Sequence, residues 1–379
     1  MLNISKELCY GCSACASICS HKAIKMVADD EGFKYPVLTR DLCINCGLCE
    51  KICPINNIID KQQDKEFKAY AIQHKDKDVL YSSTSGGFFT AISDAVLSEK
   101  GVVYGAALDD TMVVRHIRST NPIERNRIKG SKYVQSDIGN TYLSVKKDLQ
   151  DNKKVLFTGT PCQVDGLIHF LQGKTDNLIC IDLICHGTPS PLIFAEHIKL
   201  LEKKTHSHVV DYCFRPKNWT WHTHREIITL SNGRKYHSSA YADLWRTIYY
   251  MRLANRLSCH HCQYSCMVRP GDITIGDCRG IDRICSDINS NEGVSLVLIN
   301  TKKGDYYFNQ IKDTMHIFEI DDITPIMQPP LQRPSKQNAD RHLFMDIYHR
   351  KGYIQAIKAC LGRTYRIKHF IKKRLKLNE

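Results

Sequence analysis

A chain of 379 residues, 42% hydrophobic and 25% charged, has the composition of a folded protein and length for two or three domains, which excludes a disulfide-stapled miniature and a disordered chain. The formal net charge is +13, but nine of the thirteen excess charges lie between Arg350 and Glu379, so no base-reading nucleic-acid surface is expected. No apolar run approaches the ~18 residues of a membrane span, and Met1–Leu8 lacks the pattern of a secretion signal, so a cytoplasmic protein is expected.

Eight of the eighteen cysteines fall in residues 1–56, and none follows until Cys162. A reducing compartment makes such density a matter of metal binding rather than disulfides. The eight form a repeat, Cys9-x2-Cys12-x2-Cys15-x3-Cys19 and Cys43-x2-Cys46-x2-Cys49-x3-Cys53-Pro54. Three cysteines at x2 spacing wrap one corner of a cubane, and in two-cluster ferredoxins the fourth ligates the other cube. One [4Fe-4S] cluster is therefore assigned to Cys9, Cys12, Cys15 and Cys53, the second to Cys43, Cys46, Cys49 and Cys19. A pair of zinc sites is the competing reading. The expected fold is an α+β ferredoxin-like two-cluster module over 1–58, with a polar linker at 59–67.

From Lys68 onward, strand-like runs alternate with helical periodicity. Strands are expected at Lys68–Gln73, Gly101–Leu108, Lys154–Thr158 and Asn177–Ile184, and helices at Gly87–Ser98, Gly139–Gln150, Gln163–Gln172 and Pro191–Lys203. A hairpin at Asn232–Gly233, a helix at Ala242–Arg256, a strand at Val294–Asn300 and a helix at Asp305–Lys312 follow. Such alternation predicts an α/β domain with a mixed sheet, divided into 68–150 and 151–335, before a basic helical tail at 336–379.

Ser82-Ser83-Thr84-Ser85-Gly86-Gly87 stands just before a helix, where backbone N–H groups and small residues suit an anion; a plain N-cap by Ser85 explains it equally. Lys129-Gly130-Ser131-Lys132 through Ser136 is a basic turn that pairs a phosphate or is simply solvated. Gly159-Thr160-Pro161-Cys162-Gln163 puts a thiol at a helix start, where the dipole favours its thiolate. Asp182-Leu183-Ile184-Cys185-His186-Gly187 repeats that design, so two cysteines end adjacent parallel strands and face the crevice at the carboxyl edge. Cys259-x2-Cys262 supplies half of a four-thiolate site, and Cys162 and Cys185 are its natural partners; zinc held with His260 or His261 is the alternative.

These segments, with Gly271-Asp272-Ile273-Thr274-Ile275-Gly276-Asp277 after the last pair, together resemble the coenzyme F420 hydrogenase/dehydrogenase beta-subunit family from about Ala69 to Pro330. The resemblance implies an FAD-containing flavoprotein whose flavin exchanges electrons with an adjacent [4Fe-4S] cluster and a hydride carrier, in some members F420. By position, Ser83, Ser85, Gly86, Gly87, Lys132 and Ser136 would hold FAD, and Cys162, Cys185, Cys259 and Cys262 the third cluster. Cys278, where the family usually has an aromatic residue, and the extra Cys266 leave the fourth ligand open.

The expected function is an iron–sulfur flavoprotein oxidoreductase passing electrons between clusters and a hydride donor or acceptor. The alternative is an electron-delivery subunit with no substrate of its own. A redox partner protein or a hydride-carrying small molecule is the expected partner, with a homo-oligomer open. Asn218–Arg225 lines a substrate pocket or forms a half-buried strand face. Thr364–Leu377, a basic amphipathic helix, lies on an acidic membrane surface, docks a partner or packs on its own domain.

Overall fold

The computed structural model describes residues 4–57, 67–217, 226–237, 242–285 and 288–361. The Asn218–Arg225 segment, most of the expected linker and the Thr364–Leu377 helix lie outside the described residues. Among the described residues no helix is long and apolar enough to cross a membrane.

The cysteine-rich module contains α1 (Ala14–Ile18), an antiparallel hairpin of β1 (Ile24–Ala28) and β2 (Lys34–Leu38), and α2 (Leu48–Lys51). Both helices start one residue after a left-handed residue, Ser13 and Gly47, which turns each Cys-x2-Cys run sharply back on itself.

The larger unit runs β3 (Lys68–His74), α3 (Lys77–Tyr81), α4 (Phe88–Ser98), β4 (Val102–Leu108), β5 (Val114–Ser119), α5 (Pro122–Ile128), α6 (Thr141–Gln150), β6 (Val155–Gly159), α7 (Pro161–Leu171), β7 (Leu178–Leu183) and α8 (Pro191–Thr205). It continues with β8 (Val209–Cys213), β9 (Ile227–Leu230), β10 (Lys235–His237), α9 (Ala242–Met251), β11 (Ile273–Asp277), β12 (Ser295–Ile299), α10 (Lys302–Ile311), β13 (Met315–Glu319), α11 (Arg341–Lys351) and α12 (Tyr353–Cys360). One eight-stranded sheet has the order β13-β3-β12-β11-β7-β6-β4-β5, and β8, β9 and β10 form a small separate sheet. β4, β6, β7 and β11 are mutually parallel neighbours, while β3, β5, β12 and β13 pair antiparallel, so the sheet is mixed.

The sheet and the core join segments that the sequence sets apart. β3, β4 and β5 from the first expected part share one sheet with β6, β7, β11, β12 and β13 from the second, because β3 inserts between β12 and β13. The stretches 68–150 and 151–335 are thus two parts of one sheet domain. Of the expected basic helical tail at 336–379, the described residues form α11 and α12, and Phe344, Met345, Tyr353, Ala356 and Ile357 are buried in the core formed with α8, α9 and the small sheet. Burying five such side chains contributes about 1.5–3 kcal/mol for each large one, enough to hold two short helices down.

Gly86 also corrects an expectation. In the sequence it reads as allowing close approach to a ligand, yet a Cβ there would stand 1.9 Å from the Ile72 carbonyl oxygen and 2.6 Å from the Ser295 N–H nitrogen. Its smallness serves the seam between β3 and β12, where its N–H donates to Ser295 Oγ (2.9 Å) and its carbonyl accepts from the His74 N–H (2.7 Å). Gly86→Ala is expected to destabilise the fold by about 1–3 kcal/mol or more, seen as a lowered denaturation midpoint, rather than to remove a ligand selectively.

Candidate electron-transfer site

The first cysteine set comes together at the face that the N-terminal module turns toward α7. Cys12 and Cys15 are buried, and their thiols are pushed up, Cys15 to about 12, by burial first and then by one another, Cys9 and Cys53. This is the set assigned from the motif crossing. Of the second set, Cys46 is exposed and acts on Cys49, whose thiol is raised mainly by burial, while Cys19 and Cys43 are partly exposed. This set is thus more exposed than the first, and Cys49 also acts on Cys15.

Cys162, Cys185, Cys259 and Cys262 also converge. Burial raises the first thiol far above its ordinary value, Cys185 to about 12 and Cys262 to about 11; Cys162 is raised further by the other three, Cys185 by Cys259 and Cys262, and Cys262 by Cys259. The dipole of α7 favours a Cys162 thiolate, but desolvation wins, so the free thiol stays protonated. Backbone donors already point at this set: the Gly187 N–H reaches Cys185 Sγ and the Thr188 N–H reaches Cys259 Sγ, both at 3.4 Å, while Thr160 Oγ1 lies 3.2 Å from Cys162 Sγ. β6 and β7 are adjacent and parallel, as expected, so Thr160-Pro161-Cys162 and Cys185 leave the same sheet edge. Cys278 is fully buried in a different apolar cluster with Cys285 and Ile281, and Cys266 Sγ donates to the Gln263 and Val268 carbonyls. Among the described residues no three His, Cys, Asp or Glu side chains stand close enough to share a single metal ion.

The two converged sets are neighbours. A Cβ on Gly166 would meet Cys12 Cβ and Sγ at 2.9 Å, and Gly166 lies four residues after Cys162 on α7, about 6 Å along its axis. Tyr10 stands between, its hydroxyl accepting from the Gln263 N–H (3.3 Å) and its acidity suppressed by burial and by Cys262, Cys162 and Cys259. Arg256 clamps the contact: Nε donates to the Cys9 carbonyl (2.7 Å), Nη1 to Gln135 Oε1 (3.0 Å) and Nη2 to the Lys34 carbonyl (3.0 Å), over the Tyr35 ring. Arg341 adds a buried ion pair to Glu31 on the β1–β2 turn. Arg256→Met should cost at least about 2–3 kcal/mol and loosen the module. Faster hydrogen exchange at residues 4–57 checks it, with an unchanged exchange rate counting against the clamp.

A cavity of about 660 Å³ opens at the carboxyl edge of β6, β7 and β11. Ser83, Ser85, Gly87, Lys132 and Ser136 line it; Gly86 does not. The two turns that sequence reasoning links across some 45 residues touch each other, Lys129 Nζ donating to Ser82 Oγ (2.8 Å) and the Ser131 N–H to Thr84 Oγ1 (3.3 Å). Their side chains are largely committed within the protein. Ser83 Oγ donates to the Val79 carbonyl, Ser85 Oγ to the Val294 carbonyl, and Ser136 Oγ accepts from Gln163 Nε2 (2.9 Å). Lys132 Nζ donates to the carbonyls of Arg127, Ile128 and Lys129, closing the end of α5, and burial lowers its pKa to about 7.

Sequence reasoning misses the other half of the cavity. Arg215, Arg252, Arg279, Arg283 and His186 line it with Asp277, and Tyr133 stacks on Tyr249 at 4.2 Å. Arg215 and Arg279 both pair with Asp277. His186 is pushed down to about 4, first by burial and then by Arg279 and Arg252, so it is neutral at ordinary pH. Arg252 reaches the cavity because α9 stops at Met251, short of the expected Arg256. Arg252 adopts a left-handed φ of 57°, and the Leu253 N–H turns back to the Ile248 carbonyl. No sequence signal marks that stop. Cys185 belongs to both the thiol set and the cavity wall.

A cysteine-rich module clamped beside a second thiol set, itself beside a cavity on a mixed sheet, defines an iron–sulfur protein of the electron-transferring oxidoreductase class. Residues 8–57 match the 4Fe-4S dicluster domain, and residues 152–325 match the C terminus of the coenzyme F420 hydrogenase/dehydrogenase beta subunit, so the resemblance to that family holds. The coenzyme F420 hydrogenase subunit beta of Methanococcus voltae is 24% identical over 291 residues, covering 72% of this chain and 92% of the relative. A chain of the xenon-derivatised F420-reducing [NiFe] hydrogenase complex from Methanosarcina barkeri is 16% identical, covers 80% of this chain and 94% of its own length, and has a TM-score of 0.48.

Proposed function

We propose that this protein is a flavin-dependent oxidoreductase that exchanges electrons between an anionic hydride carrier and a redox partner protein. The observation that carries the reading is Cys185, which is at once one of four mutually acting buried thiols and part of the wall of the 660 Å³ cavity. Burial holds the Cys162, Cys185 and Cys262 thiols protonated, and a cationic cluster core would take them, with Cys259 beside them, as thiolates, so the four fit a third [4Fe-4S] cluster. Cys9, Cys12, Cys15 and Cys53 fit one cluster of the ferredoxin-like dicluster module, and Cys19, Cys43, Cys46 and Cys49 the other.

The turn at Ser83–Gly87, the start of α4 and the Lys129–Ser136 turn fit FAD, with Ser83, Ser85, Gly87, Lys132 and Ser136 on its phosphate and ribityl portions. The first turn of a helix leaves N–H groups without intrahelical partners, and the volume is that of a cofactor pocket. When bound, the flavin supplies the interchange of one hydride for two single electrons. The chain's own part is to hold it beside Cys185 and to order the thiol sets. Cys185 of the third set lines the cavity, Cys12 of the first packs against Gly166 on α7, the helix that also carries Cys162, and Cys46 of the second is exposed, where a partner protein has access.

The guanidinium-rich half of the cavity selects a carrier with phosphate or carboxylate groups, and the name of the M. voltae relative makes F420 the first to try. The test is steady-state reduction of the clusters by reduced F420 and by reduced nicotinamides. Arg279→Ala should raise KM for the preferred donor about ten- to a hundredfold with little change in kcat, the loss of one charge-assisted contact. Cluster reduction by none of these donors in flavin-replete protein would favour the electron-delivery role instead.

A further inference from the structure

Asn255 is fully buried, yet among the described residues neither its Oδ1 nor its Nδ2 has a hydrogen-bond partner. Its backbone is well placed: the carbonyl accepts from Arg341 Nε (2.8 Å), and the residue bridges Pro189 across the β7–α8 turn. The side chain is thus carried to its position by fixed main chain and left with nothing to bond. A buried carboxamide in that state costs about 1–3 kcal/mol for each unmet group.

Its neighbours identify what is missing. Gly187, at φ 105°, packs closely here: a Cβ on it would stand 2.5 Å from Asn255 Nδ2 and 3.3 Å from Cys259 Cβ, so the carboxamide lies beside the cysteine. At the same turn the Gly187 and Thr188 N–H groups already approach the Cys185 and Cys259 sulfurs. Two more buried atoms on the same segment lack partners: Ser258 Oγ, next to Cys259, and His260 Nε2, whose ring is held through Nδ1 by the Ser335 carbonyl. Among these atoms Asn255 Nδ2 and Ser258 Oγ are donors, both on the stretch that carries Cys259, and a sulfur-rich acceptor beside Cys259 would match them.

We infer that the Asn255 carboxamide donates a hydrogen bond to the sulfur shell of the third cluster, supported by Ser258, and thereby sets that cluster's reduction potential. The inference rests on the third-cluster reading above. An N–H aimed at sulfur stabilises the more negative, reduced state, so removing it lowers the potential.

The test uses full-length protein, purified anaerobically, as wild type, Asn255→Leu and the smaller Asn255→Ala. Iron analysis establishes cluster content, and a redox titration followed by electron paramagnetic resonance reads each midpoint. Both variants should keep the third cluster, with its reduced-to-oxidised ratio at a given potential falling about tenfold, equivalent to about 59 mV for one electron. The dicluster midpoints should not move. An unmoved third midpoint overturns the inference. So does loss of the third cluster from a folded variant, or failure of both variants to fold, since either would make Asn255 a structural residue. Wild-type protein with only the iron of two clusters would instead retire the third-cluster reading itself.

Discussion

Cys185→Ser is expected to reduce the iron content of anaerobically purified protein from about twelve atoms to about eight, because three cubanes become two. Serine oxygen is a poor replacement for a soft thiolate, and Cys162, Cys259 and Cys262 would be left as three thiols without a cluster, Cys162 and Cys262 held protonated by burial. The same loss should follow Cys162→Ser. Cys278→Ser and Cys266→Ser should leave iron unchanged, since Cys278 faces the separate cluster around Ile281 and Cys266 is already engaged by two carbonyls. Their different fates are the point of the experiment: a drop of about four irons in Cys266→Ser with none in Cys185→Ser would overturn the ligand set. The first eight irons should persist in every case, because none of these substitutions touches the eight cysteines of the N-terminal module or the Arg256 and Gln263 contacts to its Cys9 and Pro54 carbonyls.

Thr84→Trp is expected to abolish flavin binding while leaving all three clusters in place. Thr84 lines the cavity where the two turns meet, its hydroxyl accepting from the Ser131 N–H, and an indole there fills the space between them. The loss should be larger than any single polar substitution could cause, because the flanking serines already use their hydrogen bonds inside the protein. Hydride donors should then fail to bleach the iron–sulfur absorbance, whereas dithionite, which needs no flavin, should still bleach it. Unchanged flavin content in this variant, or no flavin in carefully reconstituted wild type, would sink the flavoprotein reading. Lys132→Met is a useful companion. Its ammonium closes three carbonyls at the end of α5, so lowered stability should accompany any loss of flavin, which Thr84→Trp need not show.

The cysteine arithmetic, the strand and helix alternation through Pro191–Lys203, and the match of a Cys-x2-Cys pair with two strand-end cysteines can all be read along the chain. They are legible because they depend on short spacings and on the local periods of 2 and 3.6. Cys12 and Cys15 are brought together by a turn of a few residues, and Cys162 and Cys185 by the parallel pairing of β6 and β7 that the apolar runs already imply. Which polar groups remain available once the chain has met itself is settled in three dimensions. Gly86 serves a seam between β3 and β12, Lys132 closes a helix end, and Asn255 arrives beside Cys259 with its carboxamide unmatched. The guanidiniums of Arg215, Arg252 and the Arg279/Arg283 pair come from three separate segments, and Arg252 joins them only because α9 ends in a left-handed turn. The physical reason is that hydrogen-bond satisfaction and burial are properties of three-dimensional neighbours. Spacing along the chain can specify a local turn, but not what stands across the cavity from it.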